Sequence, residues 1–367
     1  MKDSIFAPSF GNRPRIMVGR DEEISYFKAA LNSPAGSRDR AAMILGQRGY
    51  GKTVMLLEMA EIARRNGFVV ASPTIVSTDL QRRIIEKLYD DGSKYLRQDK
   101  REFSGGNVSV IGFGVGFQTD KSGGMEKSYE YRLIEVCRRL TEKGKGVLIL
   151  VDEVQANSEA LKSLIAVYQE MVGEGLNVAI VMAGLPGAVS TTLNEHVLTF
   201  LNRARKIDLG PLNERVISDY YRKVFKELGI SLDVSKYDEL AGFTEGSPYL
   251  MQLAGHYITI YSDDSGQIDK NMYEKALNDA KTDFITDICE TTLNTLSDRD
   301  IEFLKSMTQD IETSRVSDIA ERMEVSAAYA QRYKKRLIDS GVIKQIKRGE
   351  VCFCIAYLKD YLQDKDN

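Results

Sequence analysis

The stretch Ile44–Leu56, ILGQRGYGKTVML, decides the fold. Met43–Leu45 suits a buried strand, and from Thr53 onward Val54, Leu57, Met59–Ala60 and Ile62–Ala63 recur at helical spacing. Between strand and helix lies Gly46-x-x-x-x-Gly51-Lys52-Thr53, the P-loop pattern. Its glycines let the backbone N–H groups of the loop, through Gln47, Arg48, Gly49 and Tyr50, close around a β-phosphate. The helix that opens at Thr53 and Val54 adds a favourable dipole. Lys52 is expected to meet β/γ oxygens and Thr53 to hold Mg²⁺, which makes ATP or ADP with Mg²⁺ the expected ligands.

A second phosphate-site element is expected on another parallel strand. In GKGVLILVDEVQ, Val147–Val151 is a continuous apolar run of the kind a strand covered on both faces requires, and it ends in Asp152-Glu153. Asp152 suits the Mg²⁺ shell, while Glu153 suits the orientation and deprotonation of an attacking water. The pair therefore predicts hydrolysis rather than binding alone. A further buried strand, NVAIVMAGLPG, follows a helix, so strands alternate with helices and the fold class is α/β with a parallel sheet.

The chain has 367 residues, which predicts two or three domains. Hydrophobic residues make up 43% and charged residues 28%, no apolar run reaches membrane-span length, and MKDSIFAPSF has no signal-peptide core. A cytoplasmic protein with no membrane partner is expected. Cys137, Cys289, Cys352 and Cys354 lack paired metal spacing and only His196 and His256 accompany them, so reduced thiols and no zinc site are predicted. A net charge of −3 excludes a protein that coats nucleic acid over its whole surface.

From about Ser297 the texture changes. SDRDIEFLKSMTQ, RVSDIAERMEV and SAAYAQRYKKRLIDSGVI read as three helices, the first capped by Ser297 with Asp300 three residues on. IKQIKRGEVCFCIAYLKDYL reads as two strands joined at Arg348-Gly349-Glu350, and Cys352 and Cys354 share one strand face. Three helices and a hairpin make a winged helix, a layout of many duplex-DNA readers. Arg332, Lys334, Lys335, Arg336, Lys344, Lys347 and Arg348 lie there against one acid, Asp339. They are expected to meet DNA phosphates, with Tyr329, Gln331 and Tyr333 reaching base edges; the alternative is a module that contacts a protein.

NVSVIGFGVGFQ, residues 107–118, alternates glycine with Ile111, Phe113, Val115 and Phe117. No helix follows, so it is not a dinucleotide fingerprint. It reads as an added edge strand, or as a face that another chain approaches closely.

MVGRDEEISYFKAAL, GQRGYGKT, ILVDEVQ, VMAGLPG, FLNRARKIDLGPL and FTEGSPYLMQLAGHYI resemble, in this order, the motifs of AAA+-type ATPases. The similarity is to the origin-recognition-like group with a C-terminal winged helix, and it spans nearly the whole chain. It implies a P-loop NTPase αβα sandwich over residues 1–212, a helical lid over 213–292 and a winged helix over 293–367. It implies that Val18, Gly19 and Arg20 pack beside adenine, the alternative being a plain loop before a helix. It also implies that Arg203, or Arg205, serves as an arginine finger to a neighbouring copy in a homo-oligomer, the alternative being a surface arginine. Two features depart from the pattern: Met182-Ala183-Gly184-Leu185-Pro186 has no polar sensor, and Gly246-Ser247-Pro248 stands where a lid arginine is common. The Gly-x-Pro resembles the signalling STAND ATPases, in which the proline packs near nucleotide; Pro248 equally suits a first helical turn. The resemblance thus implies a DNA-associated ATPase or, alternatively, a nucleotide-held switch with a protein partner.

Overall fold

Strand composition dictates the layers. β1 (Ala41–Gly46), β3 (Gly146–Val154) and β4 (Val178–Gly184) are nearly unbroken apolar runs, and every residue of β4 is buried. Runs of this kind need cover on both faces. The computed structural model describes residues 5, 6, 8, 13–96, 128–154, 158–187 and 202–365. Among these, β2 (Phe68–Ile75) and β5 (Arg205–Leu209) complete a five-stranded parallel sheet of order β2-β3-β4-β1-β5.

Alternation along the strands divides the core. Met43, Ile149, Val151 and Ile180 pack with Ile84 of α3 (Leu80–Asp91), Leu133 of α4 (Tyr129–Glu142) and Leu164 of α5 (Glu159–Gly173). Ile44, Leu148, Leu150 and Val181 pack on the other face with Phe27 of α1 (Asp21–Leu31) and Met55 of α2 (Lys52–Arg65). The result is the parallel α/β sheet expected from the strand pattern, in the αβα sandwich that the family resemblance implies. Residues 107–118 lie outside the described residues.

Beyond the sheet, Asn213 caps α6 (Glu214–Glu227), accepting from the Arg215 N–H. α7 (Val234–Phe243), α8 (Pro248–Tyr261) and α9 (Lys270–Phe284) follow, and α9 runs on into a π-helical turn, Ile285–Glu290. A π turn adds one residue to the repeat and swings the side chains after it, which periodicity in the sequence does not register.

The terminal part has α10 (Asp298–Met307), a short β6 (Ser314–Arg315), α11 (Val316–Arg322), α12 (Ala327–Asp339), and then β7 (Ile343–Lys347) and β8 (Glu350–Phe353). Ser297 and Asp300 form a full capping box at α10. The three strands are antiparallel, in the order β6-β8-β7. One correction concerns the last stretch, read as strand to its end: Tyr357 takes a left-handed φ of 57°, and α13 (Leu358–Asp364) follows, burying Leu358 and Leu362 four residues apart.

A single buried cluster runs from Phe6 through Tyr221, Phe225 and Phe284 to Phe303, Leu337, Val351 and Leu358. The lid helices and the terminal part therefore share one core. No helix among the described residues is long and apolar enough to cross a membrane.

Candidate nucleotide site

The carboxyl ends of β1, β3 and β4 open into a cavity of about 740 Å³ between the sheet and the lid helices. Parallel α/β sheets present ligand sites at this edge, because the loops leaving the strands diverge there. Arg48 to Val54 line the floor, and Gly49 and Gly51 have φ of 78° and 83°, which lets the loop turn its amides inward. Lys52 Nζ donates to the carbonyls of Gly46 (2.9 Å) and Gln47 (2.7 Å), so the ammonium is held over its own loop. Burial, with a smaller push from Arg48, lowers its pKa to about 8, against the opposing attraction of Asp152 and Glu153.

Thr53 and Asp152, 99 residues apart in sequence, are brought into contact. The Thr53 hydroxyl donates to Asp152 Oδ2 at 2.6 Å, and Asp152 Oδ1 accepts from the Glu153 N–H at 2.9 Å. Asp152 is buried, whereas Glu153 is exposed to the cavity. The register of β3 on β4 shifts between Val151 and Val154, and Glu153 has a φ of 52°. A bulge here breaks the two-residue alternation and re-aims Glu153. A positive φ at a non-glycine residue is strained by about 1 kcal/mol or more, a cost associated with functional positions.

Of the other predicted contacts, Val18, Arg20 and Pro248 line the cavity, while Gly19, Gly46 and Gln47 do not. Arg20 is buried and donates to the Gly210 carbonyl at 2.6 Å, tying the chain before α1 to the end of β5. Pro248 is both the first residue of α8 and a wall of the cavity, so its two readings coexist. Gln47 points away: a Cβ on Gly341 would meet Gln47 Oε1 at 2.0 Å, which places this P-loop side chain against the turn after α12. Arg203 is exposed at the start of β5, the end of the sheet opposite the P-loop, and cannot reach its own cavity. Arg205 is engaged over the Tyr26 ring, 4.5 Å from its centroid.

Several lining residues carried no signal in the sequence reading. Ile16, Met17, Leu212 and Met251 give one end an apolar wall suited to a flat base, with Gln252 beside it. Tyr249, one residue past Pro248, and Asp287 and Thr291 from the π turn and just beyond it close the other side. The first could have been found by its place beside Pro248; the others lie about forty residues further on, in no motif of the sequence.

The terminal basic residues are only partly grouped as expected. Arg332, Lys335, Lys344, Lys347 and Arg348 are exposed and Lys334 is half-buried. Arg336, however, pairs with the buried Asp300 that also closes the capping box, and Lys347 pairs with Glu350 at 3.1 Å. Tyr333 is buried, so of the expected base readers only Tyr329 and Gln331 are presented.

Residues 17–181 match the profile of the AAA ATPase domain family, and residues 286–362 match a family described as a domain of unknown function (DUF8462). No curated protein matches the sequence. Among solved structures, the ORC2 protein of Aeropyrum pernix, in ADPNP–ADP complexes, is similar with a TM-score of 0.67 at 16% identity, over 98% of this chain and 95% of that one. A Walker-type ATPase of Pyrococcus abyssi gives 0.68 at 15% identity, over 98% and 99%. Cdc6p of Pyrobaculum aerophilum gives 0.51 at 15% identity, over 99% and 96%. At these identities the likeness is one of fold, and it extends across the sheet, the lid helices and the terminal part.

Proposed function

From an AAA ATPase domain at residues 17–181, set in a fold shared with archaeal ORC-type structures, we propose that this chain binds and hydrolyses ATP, with Mg²⁺ as cofactor, and associates with duplex DNA through its terminal part. One observation carries the reading: Lys52, the Thr53–Asp152 pair and Glu153 converge in one cavity beneath the lid helices. Two hard oxygen donors 2.6 Å apart fit a magnesium ion and its water shell. The ion would polarise the β/γ oxygens. Lys52 neutralises the same oxygens, the loop amides fix the β-phosphate, and Glu153 takes the proton of the water that attacks the γ-phosphorus.

The domain limits read from sequence, 1–212, 213–292 and 293–367, remain the working division, with the terminal helices and sheet read as a winged helix. Its exposed cations, Arg332, Lys335, Lys344 and Arg348, are assigned to phosphates, which position without reading sequence. Arg203, at the far end of the sheet, is assigned to the γ-phosphate of a neighbouring copy in a homo-oligomer.

A second reading is favoured by the contents of the lid. Tyr249 and Asp287 face the cavity and no lid arginine is among its lining residues. That composition suits a slow switch held by nucleotide, whose terminal part meets a protein. Steady-state ATP turnover with and without duplex DNA at moderate salt separates the two. Stimulation that is lost when Arg332, Lys335 and Lys344 are neutralised supports the first, and turnover indifferent to DNA supports the second.

A further inference from the structure

Three tyrosine–aspartate hydrogen bonds tie α8 to α9 and its π turn. Tyr261 donates to Asp279, Tyr257 to Asp283 and Tyr249 to Asp287, the last at 2.7 Å. The order reverses along the two elements, so the rungs zip an antiparallel helix pair, and the first two are sufficient for that purpose. The third differs in position. Tyr249 and Asp287 both line the nucleotide cavity, and none of the other four residues does. A Cβ added to Gly49 at the crest of the P-loop would stand 3.6 Å from Tyr249 Cβ and 3.5 Å from Ile288 Cδ1. The terminal rung therefore overhangs the part of the loop whose amides are aimed at phosphate.

On the reading of this cavity as a nucleotide site, we propose that Asp287 is a lid-borne acid that biases the site toward the nucleoside diphosphate by opposing the charge of a third phosphate. The charged residues lining the cavity are Arg20, Arg48 and Lys52 against Asp152, Glu153 and Asp287. Arg20 is committed to the Gly210 carbonyl, and Asp152 is matched to Thr53 and would help to hold Mg²⁺. Among the described residues no cation forms an ion pair with Asp287; its hydrogen-bond partner is the Tyr249 phenol. Burial first, and the bond to Asp287 second, push the Tyr249 hydroxyl to higher pKa, so it stays a hydrogen-bond donor. A carboxylate near the phosphates in a site sheltered from water acts over several ångströms, because screening is weak there. Where a lid guanidinium would stabilise the triphosphate, this lid favours the product of hydrolysis. Release of ADP then becomes the slow step.

The test is titration calorimetry of the full chain with ADP and with a non-hydrolysable ATP analogue, with Mg²⁺ present. The wild type is expected to prefer ADP. Asp287→Asn should tighten the analogue about tenfold relative to ADP, equivalent to about 1.4 kcal/mol, while Asp287→Glu keeps the wild-type preference. Asp283→Asn, a rung outside the cavity, controls for loss of the helix zipper and should leave the ratio unchanged. Equal affinities in the wild type, an unaltered ratio in Asp287→Asn, or selective loss of the analogue in that variant would each overturn the proposal. Failure of the wild type to bind either nucleotide at millimolar concentration would instead sink the reading of the cavity itself, and is thereby distinguishable.

Discussion

The hydroxyl of Tyr50, in the middle of the P-loop, donates to the backbone carbonyl of Cys354, 304 residues later, at 3.0 Å. With Gln47 seated against Gly341, two P-loop side chains reach directly into the terminal part, without passing through the lid. Nucleotide contacts that shift the loop by a fraction of an ångström must be felt at the end of β8 and in the turn before β7.

Tyr50→Phe removes that bond while keeping the ring in its buried place. A loss of about 1 kcal/mol in stability is expected, the usual worth of one such bond. More telling is hydrogen exchange of residues 341–356 with and without ADP: the wild type should show nucleotide-dependent protection there, and the variant should show much less.

The lowered pKa of Lys52 gives a pH dependence with a definite sign. Phosphate is held by the ammonium form, and burial lowers the pKa from its ordinary value of 10.5 to about 8. Nucleotide affinity should be flat below pH 7 and weaken above about pH 8, by at most tenfold per pH unit, because one proton is taken up on binding. For stability the sign is opposite. Between about 8 and 10.5 the folded state has released a proton that the unfolded state retains, so Lys52 favours folding progressively as pH rises through that window. Affinity measured by fluorescence titration from pH 6.5 to 9.5 tests the first statement, and Lys52→Met, which removes the titration, should flatten both curves.

Two arginines of the same helix should separate cleanly. Arg336 neutralises Asp300, which is 1% exposed, so Arg336→Ala leaves a buried carboxylate without its cation and is expected to cost about 2 kcal/mol. Arg332→Ala, on the exposed side of α12, should change stability by less than about 0.5 kcal/mol. It should lower DNA affinity with a reduced dependence on salt, by about one unit of log–log slope. Denaturant melts paired with binding at several salt concentrations report both.

Phe6 is 2% exposed and meets Tyr220 edge-on with ring centroids 5.9 Å apart, while Gly255 gives it room: a Cβ there would lie 2.2 Å from the Phe6 ring. Phe6→Ala is expected to cost about 3–5 kcal/mol. Gly255→Leu should destabilise comparably, since the ring has no space to yield. Urea unfolding of both variants tests whether Phe6 is part of the core.

Much of this was legible in the sequence because it depends on local chemistry. The P-loop between Leu45 and Thr53 needs glycines at fixed spacing, and an apolar run ending in Asp152-Glu153 can hardly be anything but a covered parallel strand. What escaped depends on tertiary placement. β2 carries Pro73 and a bulge between Ala71 and Thr74 and so reads poorly as a strand. Asp287 sits in the π turn at the end of a lid helix, where no phosphate motif marks it, and α13 replaces a strand because Tyr357 reverses the backbone. Arg336 looked like one of a row of exposed cations; its partner Asp300 lies 36 positions away and is recognisable from sequence only as a capping residue.

Glu153 as the base of an ATP-hydrolysing site is tested by steady-state release of phosphate from the wild type and from Glu153→Gln. The variant is expected to bind ATP as the wild type does yet turn over at least a hundredfold more slowly. Turnover in Glu153→Gln equal to that of the wild type would contradict it.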